Sequence, residues 1–469
     1  MARDEVVAVE LVRSADRARN RGGVAAAAAF LERAMELTPD PALRSTRSLE
    51  AAEAKFEAAA PEAAYQLAMV EELGPLDDLR CARPARLHAQ IVFARSRGSA
   101  ATPLFLDAAK RIEPHDAVLA RETYLEALAA AIFAGRLDGG HTVREAAEAA
   151  QVAPRGHSPP RPMDLLLDGV STHFTGGYAA SVKLLQKALR AFWTDTWGGE
   201  DDIARWLWPA CPVAPEPVAP ELWDDQAWHE PTSRAVQLAR NAGALGVLPV
   251  ALAHRAGVHL QAGEFATAAA LIDEADAIAR ATGSAPMNYT SLMLVAWRDD
   301  ERRAMKSIDA GIRTATAKGE GRALGLTGYV TAVLYNGLGR YDIALDHAQR
   351  ACQHEDLGFF GWYLVEVVEA GVRSDNRDAA LTPGQRAAYV LRDGFGYPYE
   401  RISELLHVSV VNARQHVTRA HTRLTASRRR QPVDSAAHRR LVQEFLAAAR
   451  SGDLAHLEKV LVTGASHQR

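Results

Sequence analysis

Residues 381–424 read LTPGQRAAYVLRDGFGYPYERISELLHVSVVNARQHVTRAHTRL, and the caps and breakers in this stretch predict three helices. Thr382 can cap the first helix, which begins at Pro383 and is broken by the glycines of the GFG triplet. A short second helix is predicted for 399–406. After a tight turn, Ser409 is a suitable N-cap for a third helix that runs to about residue 424. The last two helices have the spacing of a helix-turn-helix.

The third helix is amphipathic. Its apolar stripe recurs at helical spacing and comprises Val410, Ala413, Val417, Ala420 and Leu424. The opposite face carries amide, hydroxyl and guanidinium groups, which suit base edges and phosphates in a major groove. The candidate DNA-binding residues are Asn412, Gln415, Thr418 and Arg419 on this face, with Arg414 and Arg423 on its flanks.

Positive charge is concentrated in the same part of the chain. From residue 381 to residue 431 there are nine Arg, no Lys and three acidic residues, which gives a net charge of +6. The whole chain carries −4, so the residues outside this segment sum to −10. One basic segment in an otherwise acidic chain is the electrostatic footprint of a nucleic-acid reader. The alternative is an ordinary three-helix bundle with a solvated basic face.

The phrases LTPGQRAAYVLRD, YERISELL and SVVNARQHVTRAHTRL resemble region 4 of extracytoplasmic-function sigma factors of the sigma-70 family. This resemblance implies a module that reads the −35 promoter element and contacts the flap of RNA polymerase. Three residues depart from the family's pattern: Pro398 replaces a capping Ser, Arg401 an acidic residue, and His407 a turn glycine. A left-handed conformation at His407 is expected to cost about 1 kcal/mol.

A second pattern repeats through the first 373 residues. Each copy has a turn glycine, an apolar residue soon after it, and small residues at helical spacing. The later copies are separated by slightly more than the roughly 34-residue period of tetratricopeptide repeats. One copy begins at the glycine pair 22–23 and a degenerate copy lies at Glu301 and Ala304. The clearest copies are Gly176, Tyr178, Ser181, Leu185 and Ala188; Gly263, Phe265, Ala268, Ile272 and Ala275; and Gly339, Tyr341, Ala344, Ala348 and Ala351. We therefore expect an all-α fold, a tetratricopeptide-like α-solenoid followed by a small helix-turn-helix domain. Solenoids present a concave surface to partners.

Phrases such as ARETYLEALAAAIFAGRL, LLLDGVSTHFTGGYAASVKLL and TAVLYNGLGRYDIALDHAQRAC resemble the helical-repeat half of large ATP-binding LuxR-type regulators, over about residues 21–373. In that family an ATPase module precedes the repeats. No GxxxxGK[ST] phosphate loop occurs in this sequence, so ATP hydrolysis is not implied. No cofactor is expected. A protein or small-molecule partner is expected on the repeat domain.

These patterns divide the chain into five parts. They are a repeat domain (1–373), a linker (374–380), a sigma-70 region 4-like helix-turn-helix (381–426), a basic linker (427–433) and a short helical tail (434–469). The tail resembles the first helices of the SnoaL-like domain that some extracytoplasmic-function sigma factors carry, and it is too short to form the sheet and pocket of that domain. We expect it either to pack on the helix-turn-helix or to fray.

Two segments interrupt the repeats: residues 153–163 are rich in proline and are predicted to form a loop, and the second segment is rich in tryptophan. Six of the eight tryptophans lie between residues 193 and 228, together with a run of prolines that predicts no regular helix. The segment fits either an aromatic site for a ligand or partner, or a bulky patch that fills a break between repeat blocks. We favour the second interpretation, which requires no ligand.

Several classes of function are not expected. The sequence has no GxSxG elbow, no HExxH helix and no cluster of metal ligands, and His416 and His421 fit a basic helix better than a metal site. We therefore do not expect an enzyme. The three scattered cysteines and an N-terminus without an apolar core indicate a reducing cytoplasm and no membrane partner. No stretch resembles region 2 of sigma factors, so we do not expect a complete sigma factor that melts a promoter by itself.

The leading hypothesis is a DNA-binding transcription regulator. Its helix-turn-helix would bind double-stranded promoter DNA and the RNA polymerase core, and its repeats would bind a partner. The alternative is a protein-interaction scaffold that does not bind DNA, or a gene-fusion product without a settled role. A junction near Asp378 with no contacts between the two halves would support a fusion. An enzyme built on the tail is a third hypothesis, disfavoured because the tail lacks a pocket.

Overall fold

The computed structural model describes residues 3–19, 21, 23–58, 60, 63–64, 78–140, 142–155, 159–193, 215–241, 243–282, 288–298, 300–374, 383–394 and 396–425, with isolated positions at 443–444, 447, 455, 458–459 and 461. Helices make up the regular structure of these residues, which include no β-strand. The predicted all-α class, a solenoid-like array followed by a small helical domain, is confirmed.

The first half of the repeat domain runs from α1 to α9. These helices are α1 (Glu5–Arg19), α2 (Val24–Leu37), α3 (Pro41–Glu57), α4 (Asp78–Ser96), α5 (Ala101–Ile112), α6 (Ala117–Ala134), α7 (Val143–Gln151), α8 (Pro162–Gly176) and α9 (Tyr178–Trp193). A single 3₁₀ turn, Gly135–Leu137, follows α6.

The second half of the repeat domain and the terminal domain continue the series. The repeat helices are α10 (Pro215–Glu221), α11 (Asp225–Asn241), α12 (Leu248–Gln261), α13 (Phe265–Thr282), α14 (Tyr289–Arg298), α15 (Glu301–Lys318), α16 (Gly321–Gly337), α17 (Tyr341–Ala351) and α18 (Phe360–Arg373). The terminal domain contains α19 (Pro383–Tyr389) with a π-helical turn (Val390–Gly394), α20 (Tyr399–Leu406) and α21 (Val410–Thr425).

Turn glycines join successive helices into packed pairs. Gly263 between α12 and α13 and Gly339 between α16 and α17 have φ values of 76° and 73°, a left-handed conformation that glycine adopts without steric cost. At the α8–α9 turn the sequence pattern pointed to Gly176, but Gly176 ends α8 and Gly177, with φ 83°, makes the turn. The short connections therefore fold each helix back on its predecessor.

The small residues predicted to face the core are mostly buried, whereas the aromatic residue that follows each turn glycine is only half-buried. Small side chains at these positions let neighbouring helices approach closely, as at Ala268, Ala344 and Ala348, which are fully buried. Leu185 and Ile272 fill the remaining space between the pairs. Two large apolar clusters result, one built mainly from α5 to α11 and the other from α12 to α18.

The prediction that the proline run excludes regular helix is wrong for its described part, because α10 contains Pro215, Pro217 and Pro220. Pro215 and Pro217 lie in the first turn of α10, where backbone N–H groups have no intrahelical partner to lose. Trp228 of α11 packs on the core and lies 5.7 Å, between ring centroids, from Trp362 of α18. Residues 194–214, with the remaining prolines, lie outside the described part of the chain.

None of the described helices combines the length and the apolar character that crossing a bilayer requires.

Candidate nucleic-acid interface

Helices α19, α20 and α21 enclose a small hydrophobic core of their own. The core is built mainly from alanines and branched aliphatic residues, so the three short helices pack closely despite their small size. The buried members are Ala387, Ala388 and Leu391 from the first helical segment, Ile402 and Leu406 from α20, and Ala413 and Val417 from α21. The bounds of α20 are those predicted. Thr382, the predicted cap of the first helix, lies outside the described residues, and the helical path continues through a π-helical turn to Gly394.

The turn between α20 and α21 is closed by backbone hydrogen bonds around His407. This residue has φ 52° and ψ 44°, the left-handed conformation expected from its replacement of a glycine. The N–H of His407 donates to the carbonyl of Glu404 at 3.3 Å, and the N–H of Val408 donates to the carbonyl of Ser403 at 3.0 Å. This pairing satisfies the last carbonyls of α20 and reverses the chain toward α21.

Ser409 caps α21 as predicted, because its Oγ accepts a hydrogen bond of 3.1 Å from the N–H of Asn412. The cap fixes the first residue of α21 and therefore sets which side chains point away from the core.

One face of α21 is buried and the opposite face is exposed. Ala413, Val417 and Ala420 are buried and Val410 is half-buried. The exposed residues are Asn412, Arg414, Gln415, Thr418 and Arg419. Asn412, Gln415 and Arg419 fall within about 60° of rotation about the helix axis, so they form one row. The side chains of Arg423 and Leu424 lie outside the described residues.

Arg414 is held over an aromatic ring that the sequence did not single out. Its guanidinium carbon lies 5.2 Å from the ring centroid of Tyr399, the first residue of α20. The guanidinium carbon of Arg392 lies 4.5 Å from the same centroid, and its Nη1 donates to the carbonyl of Tyr397 at 2.9 Å. Two cation–π contacts on one ring concentrate positive charge beside the exposed row.

His416 lies next to the exposed row but contributes little charge. Burial, and then the neighbouring charge of Arg419, lower the pKa of His416. At neutral pH its ring is therefore neutral. No group of three or more His, Cys, Asp or Glu side chains within the described ranges is arranged to hold a metal ion.

The helix-turn-helix is packed against the repeat domain. Tyr178, at the start of α9, contacts its hydrophobic core, and α17 contacts α21. Gly177 and Gly396 approach so closely that a Cβ on either would lie within 3.9 Å of the other's Cα. The two halves of the chain therefore contact each other. A junction without such contacts would have supported a gene fusion, and this condition is not met.

A cavity of about 60 Å³ lies at this junction, which we call the junction cavity. Its walls are acidic on both sides: Glu221 and Glu355 from the repeat domain face Asp393 of the helix-turn-helix. Burial, and then repulsion from the other two carboxylates, raise the pKa of Glu355, and His173 partly offsets this. His173 Nε2 lies 3.9 Å from Glu221.

Described positions of the tail also pack on the helix-turn-helix. Leu461 is buried in its core with 4% of its surface exposed. Glu458 accepts a hydrogen bond of 2.7 Å from the hydroxyl of Tyr397 and lies 3.8 Å from the guanidinium of Arg401. Arg401, one of the departures from the family's pattern, also pairs with Glu404 at 3.0 Å. At these positions the tail therefore packs on the helix-turn-helix, which is one of the two expectations, and does not fray.

Comparison with known proteins identifies the class of this domain. Residues 379–424 match the family described as "Sigma-70, region 4". The chain is similar to the ECF RNA polymerase sigma factor SigJ of Mycobacterium tuberculosis, with 33% identity over 127 residues that cover 22% of this chain and 39% of SigJ. It is also similar to the probable ECF RNA polymerase sigma factor SigI of the same organism, with 34% identity over 84 residues, 18% of this chain and 29% of SigI. The chain thus spans well under half of each relative. The aligned 84 residues exceed the span from 379 to 424, so the similarity extends beyond region 4 itself.

Proposed function

We propose that this chain is a DNA-binding transcription regulator of the sigma-factor type. In this proposal α21 enters the major groove of double-stranded promoter DNA, the helix-turn-helix also contacts the RNA polymerase core, and the repeat domain binds a regulatory partner. The proposal includes no catalytic activity and no promoter melting by the chain alone, and it places the chain in the cytoplasm.

The observation that carries the proposal is the exposed row Asn412, Gln415 and Arg419 on a capped helix within a segment that matches region 4. Amide and guanidinium groups in this order can make bidentate hydrogen bonds to adenine and guanine edges. Arg414, held by Tyr399 on the flank, is suited to a phosphate contact, which positions the protein but carries no sequence information.

The basic segment supports the same conclusion from charge. A net +6 between residues 381 and 431 attracts a polyanion although the chain as a whole is acidic. Because phosphate contacts release counterions, the affinity for DNA should fall steeply as salt is raised. A scaffold that binds only proteins is not expected to bind duplex DNA in this salt-dependent way.

Two measurements test the proposal. In the first, the full chain is titrated into fluorescent duplexes at several salt concentrations, with duplexes selected from a random library compared with scrambled controls. We expect tighter binding to selected duplexes and a linear fall of log affinity with log salt. In the second, genome-wide occupancy of the tagged chain is compared with that of RNA polymerase. Absence of salt-dependent duplex binding by the wild-type chain would favour the interaction-scaffold alternative.

A further inference from the structure

The ring of Tyr399 joins three helical segments of the helix-turn-helix. Tyr399 is the first residue of α20, Arg392 lies in the π-helical turn after α19, and Arg414 lies near the start of α21. The two guanidinium carbons are 4.5 Å and 5.2 Å from the ring centroid, within the distance of about 6 Å at which a cation is attracted to an aromatic face. The two guanidinium groups are therefore at most about 10 Å apart.

This ring is fixed in place by the domain itself. Tyr399 is half-buried and packs against the hydrophobic core of the helix-turn-helix. Arg392 is also half-buried, and its Nη1 donates a hydrogen bond of 2.9 Å to the carbonyl of Tyr397. Arg414 is exposed, so the ring is the contact that orients its side chain. The ring and Arg392 thus form a rigid support for Arg414.

The charges of these two arginines are not neutralised by a carboxylate. Among the described residues, neither Arg392 nor Arg414 has an acidic side chain within ion-pairing distance. Arg401 in α20 differs, because it pairs with Glu404 at 3.0 Å and lies 3.8 Å from Glu458. Arg392 and Arg414 can therefore still bind an external anion, whereas Arg401 already has its partners.

The position of the ring relates these charges to DNA. In a helix-turn-helix the second helix lies in the major groove and the first helix crosses the DNA backbone. Tyr399 begins that first helix, and Arg414 lies on the flank of α21 between its buried and exposed faces. The flanks of a helix in the major groove face the phosphates at the groove edges. The anion nearest to both arginines would therefore be the DNA backbone.

We propose that Tyr399 is a positioning residue for DNA binding, which holds Arg392 and Arg414 together as a clamp on the phosphates of one strand. This inference rests on the proposed function, because it requires α21 to enter the major groove. A free arginine side chain samples many rotamers, and ordering it on binding has an entropic cost. The ring of Tyr399 orders both side chains beforehand. The clamp adds affinity but no base recognition, since phosphates carry no sequence information.

Substitution of the arginines tests the phosphate contacts. The full chain is titrated into fluorescent duplexes, selected and scrambled, at several salt concentrations. Arg392→Gln and Arg414→Gln should each weaken binding to both kinds of duplex by a similar factor. Each should also reduce the slope of log affinity against log salt concentration by the contribution of roughly one phosphate contact. Arg401→Gln is the matched control and should leave the slope unchanged. Unchanged slopes in both test variants would overturn the clamp.

Two substitutions of Tyr399 test the role of the ring. Tyr399→Leu keeps an apolar side chain against the core but removes the aromatic face. We expect about fivefold or greater weakening for both kinds of duplex, with the ratio between selected and scrambled duplexes preserved, because two side chains must then be ordered on binding. Tyr399→Phe retains the ring and should retain most of the wild-type affinity. Equal losses in the two variants would overturn the positioning role.

A double-mutant cycle separates positioning from support of the fold. If Tyr399 acts through the arginines, Tyr399→Leu should cost much less affinity when it is introduced into Arg414→Gln than into the wild type. An equal loss in both backgrounds would show that the ring only supports the fold and would overturn the proposal.

The same titrations distinguish failure of this inference from failure of the proposed function. Wild-type chain that does not bind duplex DNA would overturn both. Salt-dependent binding by the wild type, with slopes unchanged in Arg392→Gln and Arg414→Gln, would leave the proposed function standing and would overturn only the clamp.

Discussion

The hydroxyl of Tyr397 donates a hydrogen bond of 2.7 Å to the carboxylate of Glu458, a residue 61 positions later in the sequence. This contact ties the loop before α20 to the tail, and Leu461 extends the same attachment into the hydrophobic core of the helix-turn-helix. The tail is therefore part of the structure that supports α21.

Leu461→Ala should destabilise the helix-turn-helix by about 2–5 kcal/mol, because it removes a buried side chain from a small core. Amide hydrogen exchange in α19 to α21 measures the effect, and exchange should accelerate there while the repeat helices stay protected. Leu338→Ala is the control, since that leucine is 45% exposed. Equal effects of the two substitutions would contradict the packing of the tail.

The turn at His407 predicts a stabilising substitution. His407→Gly should raise the free energy of unfolding of the helix-turn-helix by about 1 kcal/mol, because glycine adopts the left-handed conformation at φ 52° without a steric penalty. Ser409→Ala should lower it by about 1 kcal/mol through loss of the cap of α21. Hydrogen exchange of α20 and α21 reports both. A destabilised glycine variant would mean that the imidazole of His407 makes a contact that outweighs the strain.

Substitutions on α21 should separate base reading from phosphate contact. Gln415→Ala and Arg419→Ala should relax sequence preference by about 1–3 kcal/mol per lost bidentate contact. Arg423→Ala should weaken binding to all duplexes. It should also reduce the slope of log affinity against log salt concentration by the contribution of roughly one phosphate contact. Fluorescence titrations against selected and scrambled duplexes distinguish these outcomes. Equal, sequence-independent losses for all three variants would show that α21 is only a basic surface.

Glu366 of α18 predicts a pH-dependent stability of the repeat domain. Burial raises the pKa of Glu366 to about 7, while a hydrogen bond from Asn336 partly opposes this. The ordinary pKa of a glutamate is 4.5, so the unfolded state releases this proton above pH 4.5. The folded state keeps the proton on Glu366 until the pH reaches about 7. Stability should fall as pH rises from 4.5 to 7, by about 3 kcal/mol in total, and should then level off.

Glu366→Gln removes this dependence, because the amide keeps the acceptor for Asn336 and cannot ionise. We expect the variant to be more stable than the wild type at pH 8 and similar to it near pH 4.5, as measured by urea unfolding of the repeat domain. Glu274→Gln in α13 is the control, since the Glu274 side chain is 38% exposed and pairs with Arg240. A pH profile unchanged by Glu366→Gln would show that other groups dominate it.

Local signals were sufficient to predict α20, the Ser409 cap and the left-handed turn at His407, because caps and turns depend on residues a few positions apart. The repeat turns followed from the same short-range spacing. The Arg392–Tyr399–Arg414 stack could not be predicted, since it depends on how α20 and α21 cross.

Contacts between distant parts of the chain were also beyond the reach of the sequence. Tyr178 lies more than 200 residues before the core that it contacts, and no periodicity links the two. Arg322 belongs to a helix with no unusual pattern, and its burial emerges only when α16 packs against α6 and α18. The helix at Pro215 departs from expectation for a different reason, because a proline in the first turn of a helix does not break it.

The backbone between Glu355 and Phe359 is a wall shared by the junction cavity and a cavity of about 70 Å³ inside the repeat domain. Glu355 and Leu357 line the junction cavity beside the helix-turn-helix. Phe359 lines the cavity inside the repeat domain, and Nη2 of Arg322 donates a hydrogen bond to the Leu357 carbonyl. If a ligand and DNA both move this wall when they bind, the ligand binds the DNA-loaded and the DNA-free chain with different affinities. Thermodynamic linkage then makes the effect reciprocal: the factor by which the ligand changes the affinity for DNA is the factor by which DNA changes the affinity for the ligand.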